Sequence, residues 1–116
     1  MKTKSFKVLT VWQKAHHSVL AVYKLTKSFP KEELFGLTAQ FRKAAISIPV
    51  NIAMGYRKRG KADKARFFNI SEGSLEECKY YLILTKILNA NIDQENELAE
   101  EVSKLFNAYS NKILSS

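Results

Sequence analysis

The residues with the clearest chemistry in this 116-residue chain are six basic side chains within ten consecutive positions. This basic cluster consists of Arg57, Lys58, Arg59, Lys61, Lys64 and Arg66. Only Asp63 opposes the cluster within that interval. Arginine and lysine neutralise phosphates, and the preceding Tyr56 adds an aromatic ring of the kind that stacks on bases. The pattern is typical both of a nucleic-acid site and of a solvated basic helix end, and the sequence leaves both open.

The charge of the whole chain, +8, is distributed unevenly. Residues 1–66 carry 15 Lys and Arg against three acids, whereas residues 67–116 carry four Lys against eight acids. Such asymmetry indicates an anionic partner for the first half, or pairing between the two halves in an oligomer. We expect RNA or DNA to be bound through its phosphates, because no base-reading motif is present. Arg42 and Lys43, further back on the same predicted helix, are expected to support this binding.

Catalytic and metal-binding patterns are missing from the sequence. His16 and His17 are adjacent, so on a helix they point about 100° apart and do not form the four-residue spacing that a shared metal needs. Cys78 falls on a predicted inner face, where a small buried hydrophobe is the usual role of a cysteine. We therefore predict a protein that is not an enzyme, with no catalytic residues, no cofactor and no metal.

The composition also bears on the compartment. A single cysteine excludes an internal disulfide and fits a reducing environment. No stretch reaches the roughly 18 apolar residues of a membrane span, and no signal peptide is visible. The expectation is a cytoplasmic protein without a membrane partner.

The longest predicted helix starts near Glu32 or Glu33 and ends near Arg59, with a kink expected at Pro49 and Gly60 as the residue after its C-terminus. At the helical period, one apolar face is predicted to be the core: Leu34, Leu37, Phe41, Ala44, Ala45, Ile48 and Ile52. A second face, the apolar stripe, consists of Phe35, Ile46, Val50 and Ala53. A surface helix needs only one apolar face, so the stripe predicts an interface between subunits.

Three further amphipathic segments complete the predicted fold. They run from about residue 10 to 28, from about 62 to 88, and onward from Asp93, a good N-cap. Short connections favour antiparallel neighbours, so we predict an all-α, antiparallel up-down four-helix bundle forming a single domain over residues 1–116. Gly73, inside the third helix, is interpreted as a point of close helix–helix approach.

Several ordered motifs carry a family resemblance. They are Leu9 and Val11–Ala15, Tyr23–Thr26 with Phe29–Pro30, Glu33 and Gly36–Thr38, Gln40–Ile48, Asn51–Ala53 with Gly55, and Gly73–Glu77. In this order and spacing the chain resembles the four-helix-bundle family encoded in intervening sequences of bacterial large-subunit ribosomal RNA genes. That family includes the accessory variability determinant of diversity-generating retroelements. The chain departs from the pattern at Met54, where a glutamate is usual, and at Ser71–Glu72, where Ala-Arg is common.

The resemblance implies a homopentameric barrel that acts as a binding module. The retroelement relatives pair with a reverse transcriptase and bind nucleic acid through a basic surface, which makes both of these expected partners. The leading hypothesis is thus a homo-oligomeric accessory or adaptor protein that binds nucleic acid. The alternative is a structural or protein-binding oligomer, whose basic cluster pairs with the acidic fourth helix of a neighbouring subunit.

Overall fold

The first helix is built around a small apolar face that begins immediately after a short N-terminal turn. A computed structural model of the protein describes residues 5–85 and 95–105. Phe6–Val8 form one turn of 3₁₀ helix, with the Ser5 hydroxyl accepting the Lys7 N–H at 3.1 Å. Helix α1 follows over Thr10–Thr26 and ends two residues earlier than the sequence pattern predicts. Its buried residues include Val11, Ala15 and Val22, as the helical period requires.

The second predicted helix is interrupted near its start. Lys31–Glu33 form a 3₁₀ turn, Leu34–Thr38 form a π-helical turn, and helix α2 spans Ala39–Arg57. Gly36, inside the π-helical turn, has non-helical dihedral angles of φ −104° and ψ −108°. The prediction of one continuous helix from Glu32 was therefore wrong. Helix α2 does continue through Pro49, which is buried.

Helix α3 spans Lys61–Thr85, and residues 95–105 form the described part of helix α4. The predicted N-cap Asp93 and the predicted C-terminal parts of α3 and α4 lie outside the described residues. Their inner faces contribute Phe68, Ser71, Leu75, Cys78, Leu82 and Thr85 from α3, and Ala99 and Val102 from α4.

Hydrogen bonds and ion pairs between the helices show their antiparallel order. Ser71 of α3 donates a hydrogen bond of 2.8 Å to the carbonyl of Ile48 on α2, while Lys64, earlier in α3, reaches Tyr56, later in α2. Helix α4 is joined to α3 by an ion pair of 3.8 Å between Lys79 and Glu100. A second pair, Lys14–Glu101 at 3.1 Å, joins α4 to α1. The chain is thus an all-α up-down four-helix bundle, as predicted.

The core has the predicted centre, with corrections at its edges. Phe41, Ile48 and Ile52 of α2 are almost completely buried. Leu34 is half exposed because it lies before the interruption at Gly36, where the period of α2 no longer applies.

Two other packing assignments need correction. The helical period predicts that Tyr23 lies on the inner face of α1, but Tyr23 is exposed and lies under the Arg42 guanidinium at 4.5 Å. The interpretation of Gly73 was wrong for the single chain. A Cβ built at Gly73 would meet no atom of the described residues within 4 Å.

Candidate nucleic-acid interface

The corner between α2 and α3 brings the basic cluster together. Helix α2 ends at Arg57, and Lys58 takes an extended conformation with its N–H donating to the Gly55 carbonyl at 3.1 Å. The carbonyl of Gly60 accepts the Lys64 N–H at 3.0 Å, so Gly60 is the residue that immediately precedes α3 and accepts its first hydrogen bond. The assignment of Gly60 to the C-terminus of α2 was wrong, because that helix has already ended three residues earlier.

Close packing at Gly55 sets the approach of the two helices below this corner. A Cβ at Gly55 would lie 3.1 Å from Phe67 Cβ and 3.2 Å from the ring of Phe68. Few real Cβ atoms have such close neighbours, so a larger residue would push α3 away from α2. Glycine at position 55 therefore helps to hold the basic cluster in one compact region.

Three cations of the basic cluster are engaged with the protein itself. The Lys64 ammonium donates to the carbonyls of Tyr56 at 2.9 Å and Gly55 at 3.4 Å, at the C-terminus of α2. The Arg66 guanidinium lies 3.5 Å from Asp63 and also lies over the Phe67 ring. The Lys58 ammonium lies 5.0 Å from the centroid of the same ring. These contacts shape the corner and reduce the availability of the three charges.

The other three cations are open to a ligand. Arg57, Arg59 and Lys61 are exposed, and none forms an ion pair with another residue in the described part of the chain. Two guanidinium groups and one ammonium thus lie within five positions of the turn. This arrangement suits phosphate oxygens, since guanidinium forks donate two parallel hydrogen bonds and the ammonium supplies a compact charge.

Arg42 and Lys43 lie elsewhere. Fifteen residues of α2 separate Arg42 from Arg57, which is roughly 22 Å along the helix axis. The Nε of Arg42 donates to the Thr26 hydroxyl at 2.8 Å, and its guanidinium stacks on Tyr23. Lys43 is exposed at the same end of the bundle. The structure therefore brings six of the eight predicted nucleic-acid residues together and separates these two.

The apolar stripe on α2 is partly exposed. Ile46 and Val50 leave 39% and 47% of their surface open, and Ala53 is half-buried between them and the basic cluster. Phe35 is 90% exposed but precedes Gly36, so it does not share the continuous helical face of the other three. Ile46, Val50 and Ala53 therefore leave a continuous strip of apolar side chains on α2 partly open in the single chain.

Two grooves flank the stripe. One, of about 250 Å³, lies between α1 and α2 and is lined by Trp12, Val19, Ile46 and Val50 among others. The second, of about 630 Å³, lies beside the last turns of α2, where Met54 and Arg57 line it. Phe6 lines both grooves and meets Trp12 edge-on, with ring centroids 5.1 Å apart.

The role of Phe6 in lining both grooves was not predicted from the sequence. The apolar residues Phe6 and Val8 before α1 were the available signal, but a single 3₁₀ turn is too short to show a helical period.

The sequence of the chain matches a known protein family. The model of the family described as 23S rRNA-intervening sequence protein matches residues 7–111. The chain belongs to this family. The match covers nearly the whole sequence and confirms the resemblance to the intervening-sequence family, whereas the relation to diversity-generating retroelements stays a prediction. No curated protein matches the chain significantly.

The other side chains with potential chemistry in this family member are those of His16, His17 and Cys78. His16 stacks on Trp12 with centroids 5.2 Å apart, and both histidines are exposed. Cys78 is buried, and desolvation, with a smaller contribution from the Glu77 charge, raises the pKa of its thiol to about 12. A thiol of this kind stays protonated and unreactive near neutral pH.

The described part of this family member contains neither a cluster of metal-binding side chains nor a membrane-spanning helix. Within residues 5–85 and 95–105, no group of three His, Cys, Asp or Glu side chains could hold a metal ion. Over the same segments, no helix combines the length and the apolar character needed to cross a bilayer.

Proposed function

We propose that this protein is a non-enzymatic, homo-oligomeric binding module that holds nucleic-acid phosphates at the α2–α3 corner, as a cytoplasmic accessory or adaptor. The observation that carries the proposal is the open set of Arg57, Arg59 and Lys61. These three cations are exposed and have no ion-pair partner among the described residues, whereas the neighbouring Lys64 and Arg66 have partners within the chain.

The expected recognition is of charge and not of sequence. Binding by a few surface cations releases counterions from the phosphate backbone and carries no base information. One chain offers only three open cations in this corner. An assembly repeats them, and linked sites increase the apparent affinity without any new contact.

The assembly is proposed to form through the exposed part of the apolar stripe, Ile46, Val50 and Ala53, with Phe35 contributing from a separate turn. These side chains provide the apolar surface that a subunit contact requires. The count of five subunits rests only on the resemblance to pentameric relatives. A reverse transcriptase as protein partner has the same basis, and co-purification with an enzyme encoded nearby would test it.

The alternative is a structural oligomer in which the basic cluster pairs with the acidic fourth helix of a neighbour. One observation weighs against it. Glu100 and Glu101 of α4 already lie 3.8 Å and 3.1 Å from Lys79 and Lys14 of the same chain. These acids would have to give up intrachain partners to bind the basic cluster of another subunit.

The proposal is tested by titrating a labelled oligonucleotide with the intact protein at low salt, and by measuring the mass of the protein by light scattering. We expect binding that weakens markedly, but stays measurable at low salt, when Arg57, Arg59 and Lys61 are all replaced by Ala, with an unchanged oligomer mass. Absence of binding even at low salt would refute the nucleic-acid role. Dissociation of the oligomer by the triple replacement would instead identify the corner as an intersubunit ion-pair surface.

A further inference from the structure

The 630 Å³ groove beside the end of α2 combines two kinds of surface. Its lining includes the apolar side chains of Phe6, Ala53 and Met54, together with Arg57 and Lys58 of the basic cluster. Met54 leaves 44% of its surface exposed toward solvent. A ligand in this groove therefore meets an aromatic ring, a thioether and a methyl group beside two cationic residues.

The wall that carries Phe6 is held in place by hydrogen bonds. The Lys7 N–H donates to the Ser5 hydroxyl at 3.1 Å, and the Gln13 side-chain amide donates to the Lys7 carbonyl at 2.8 Å. The edge-on contact with Trp12 adds packing on the side of α1. The groove is thus formed before any ligand arrives, which lowers the entropic cost of binding.

We infer that this groove receives an unstacked base, so that the preferred ligand of the protein is single-stranded nucleic acid. This inference rests on the proposed phosphate binding at the same corner. A duplex keeps the faces of its bases stacked and presents only its backbone and base edges, whereas a single strand can place a base in an apolar groove while its flanking phosphates contact cations. Aromatic rings and the soft thioether of methionine both pack well against flat π systems.

Charge complementarity favours a nucleic-acid strand over the other possible occupants. Positions 57–66 hold six cations and one acid, and that acid, Asp63, is already paired with Arg66. A nucleic-acid strand carries a negative charge at every nucleotide and a base beside each charge, so it matches a groove lined by both apolar and cationic residues. A second copy of the chain is the alternative occupant that the experiment below would reveal through the oligomer mass.

The experiment compares three probes of equal length: a single-stranded oligonucleotide, an abasic strand with the same number of phosphates, and a duplex. We expect the intact protein to bind the strand with bases roughly fivefold or more tightly than the abasic strand, the lower end of base–aromatic stacking. Met54→Ala and Phe6→Ala should each reduce this preference and leave the affinity for the abasic strand within about twofold. Ile83→Ala, at an exposed apolar residue on α3, is the control that should retain the preference.

The outcomes separate the two proposals. Equal affinity of the intact protein for both single strands, or tighter binding of the duplex than of the strand with bases, would overturn the base-binding groove and leave the phosphate corner standing. Binding of no probe at low salt would overturn both. If Met54→Ala and Phe6→Ala lower the oligomer mass and leave the base preference unchanged, the groove is a contact between subunits and the inference is wrong.

Discussion

The ammonium of Lys64 donates a hydrogen bond of 2.9 Å to the backbone carbonyl of Tyr56. The last carbonyls of a helix have no partner within the helix, and a cation there also complements the helix dipole. Lys64 therefore stabilises the end of α2 from the first turns of α3. The nearby Lys61 makes no such contact in the described structure, although the two residues look equivalent in sequence.

Replacing each of these two lysines with methionine should show that they contribute differently to the stability of the protein. Lys64→Met should lower the free energy of unfolding by about 1 kcal/mol, because it removes a charged donor from two carbonyls. Lys61→Met should change it by less than about 0.5 kcal/mol, as is usual for exposed positions. Urea denaturation followed by circular dichroism measures both values. Equal destabilisation by the two replacements would contradict the assigned role of Lys64.

Two glycines offer a matched test of helix packing. Gly73→Ala should stabilise the protein by about 1 kcal/mol, since alanine favours the helix and its Cβ meets no described atom. Gly55→Ala should fail to stabilise and should be less stable than Gly73→Ala by about 1 kcal/mol or more, because its Cβ would crowd Phe67 and Phe68. Thermal or urea unfolding of both variants decides the point. A gain at position 55 equal to that at position 73 would show that the helices can readily separate there.

Because the Cys78 thiol is buried, we expect the folded protein to lose stability in alkaline solution. Its pKa is raised from 9.0 to about 12 in the folded protein, so above pH 9 the unfolded chain ionises first and binds fewer protons. The stability that the buried, protonated thiol contributes is fully present below pH 9 and disappears as the pH rises toward 12. Over this range the free energy of unfolding falls by up to about 1.4 kcal/mol per pH unit.

The Cys78→Ala variant is the control for this pH effect. Tyr81, whose pKa is also raised to about 12, chiefly by its hydrogen bond to Glu77 and least by the Cys78 charge, titrates in both proteins, so most of its contribution cancels from the comparison. The difference in unfolding free energy between wild type and Cys78→Ala should therefore shrink between pH 9 and 12. A difference that stays constant over this range would show that the thiol is not shielded from water as described.

Val50 tests the proposed subunit contact. Val50→Glu should reduce the mass measured by light scattering, because a charge buried at an apolar interface without a partner is costly. Val50 is 47% exposed in the single chain, so the bundle itself should stay folded. Ile83→Glu makes the same kind of change at a residue of α3 that is 62% exposed and should leave the mass unchanged. An unchanged mass for Val50→Glu would exclude the stripe as an interface.

The parts of the fold that obey the helical period could be predicted from the sequence. Phe41, Ile48 and Ile52 are buried because burial follows the 3.6-residue repeat wherever α2 is regular. Leu34 and Phe35 were misplaced relative to this face because Gly36 breaks the repeat. A single glycine within an amphipathic pattern does not by itself reveal such a break.

The basic corner was predicted as a unit because its residues are close in sequence, but their different roles were not. Whether Lys64 turns back onto Tyr56 depends on the path of three residues between the helices, and no periodicity describes that path. The separation of Arg42 from Arg57, in contrast, follows directly from the rise of a helix.

The salt dependence of nucleic-acid binding tests the central claim most directly. The logarithm of affinity should fall linearly with the logarithm of salt concentration for the intact protein. Replacing Arg57, Arg59 and Lys61 by Ala should reduce the magnitude of the slope by roughly 2 to 3, or about 0.7 to 0.9 for each phosphate that is no longer neutralised. Replacing Lys24, Lys27 and Lys31, three exposed lysines near the opposite end of the bundle, removes the same charge and should leave the slope nearly unchanged. Equal reductions in the two triple variants, or no binding by the intact protein at low salt, would contradict a phosphate site at the α2–α3 corner.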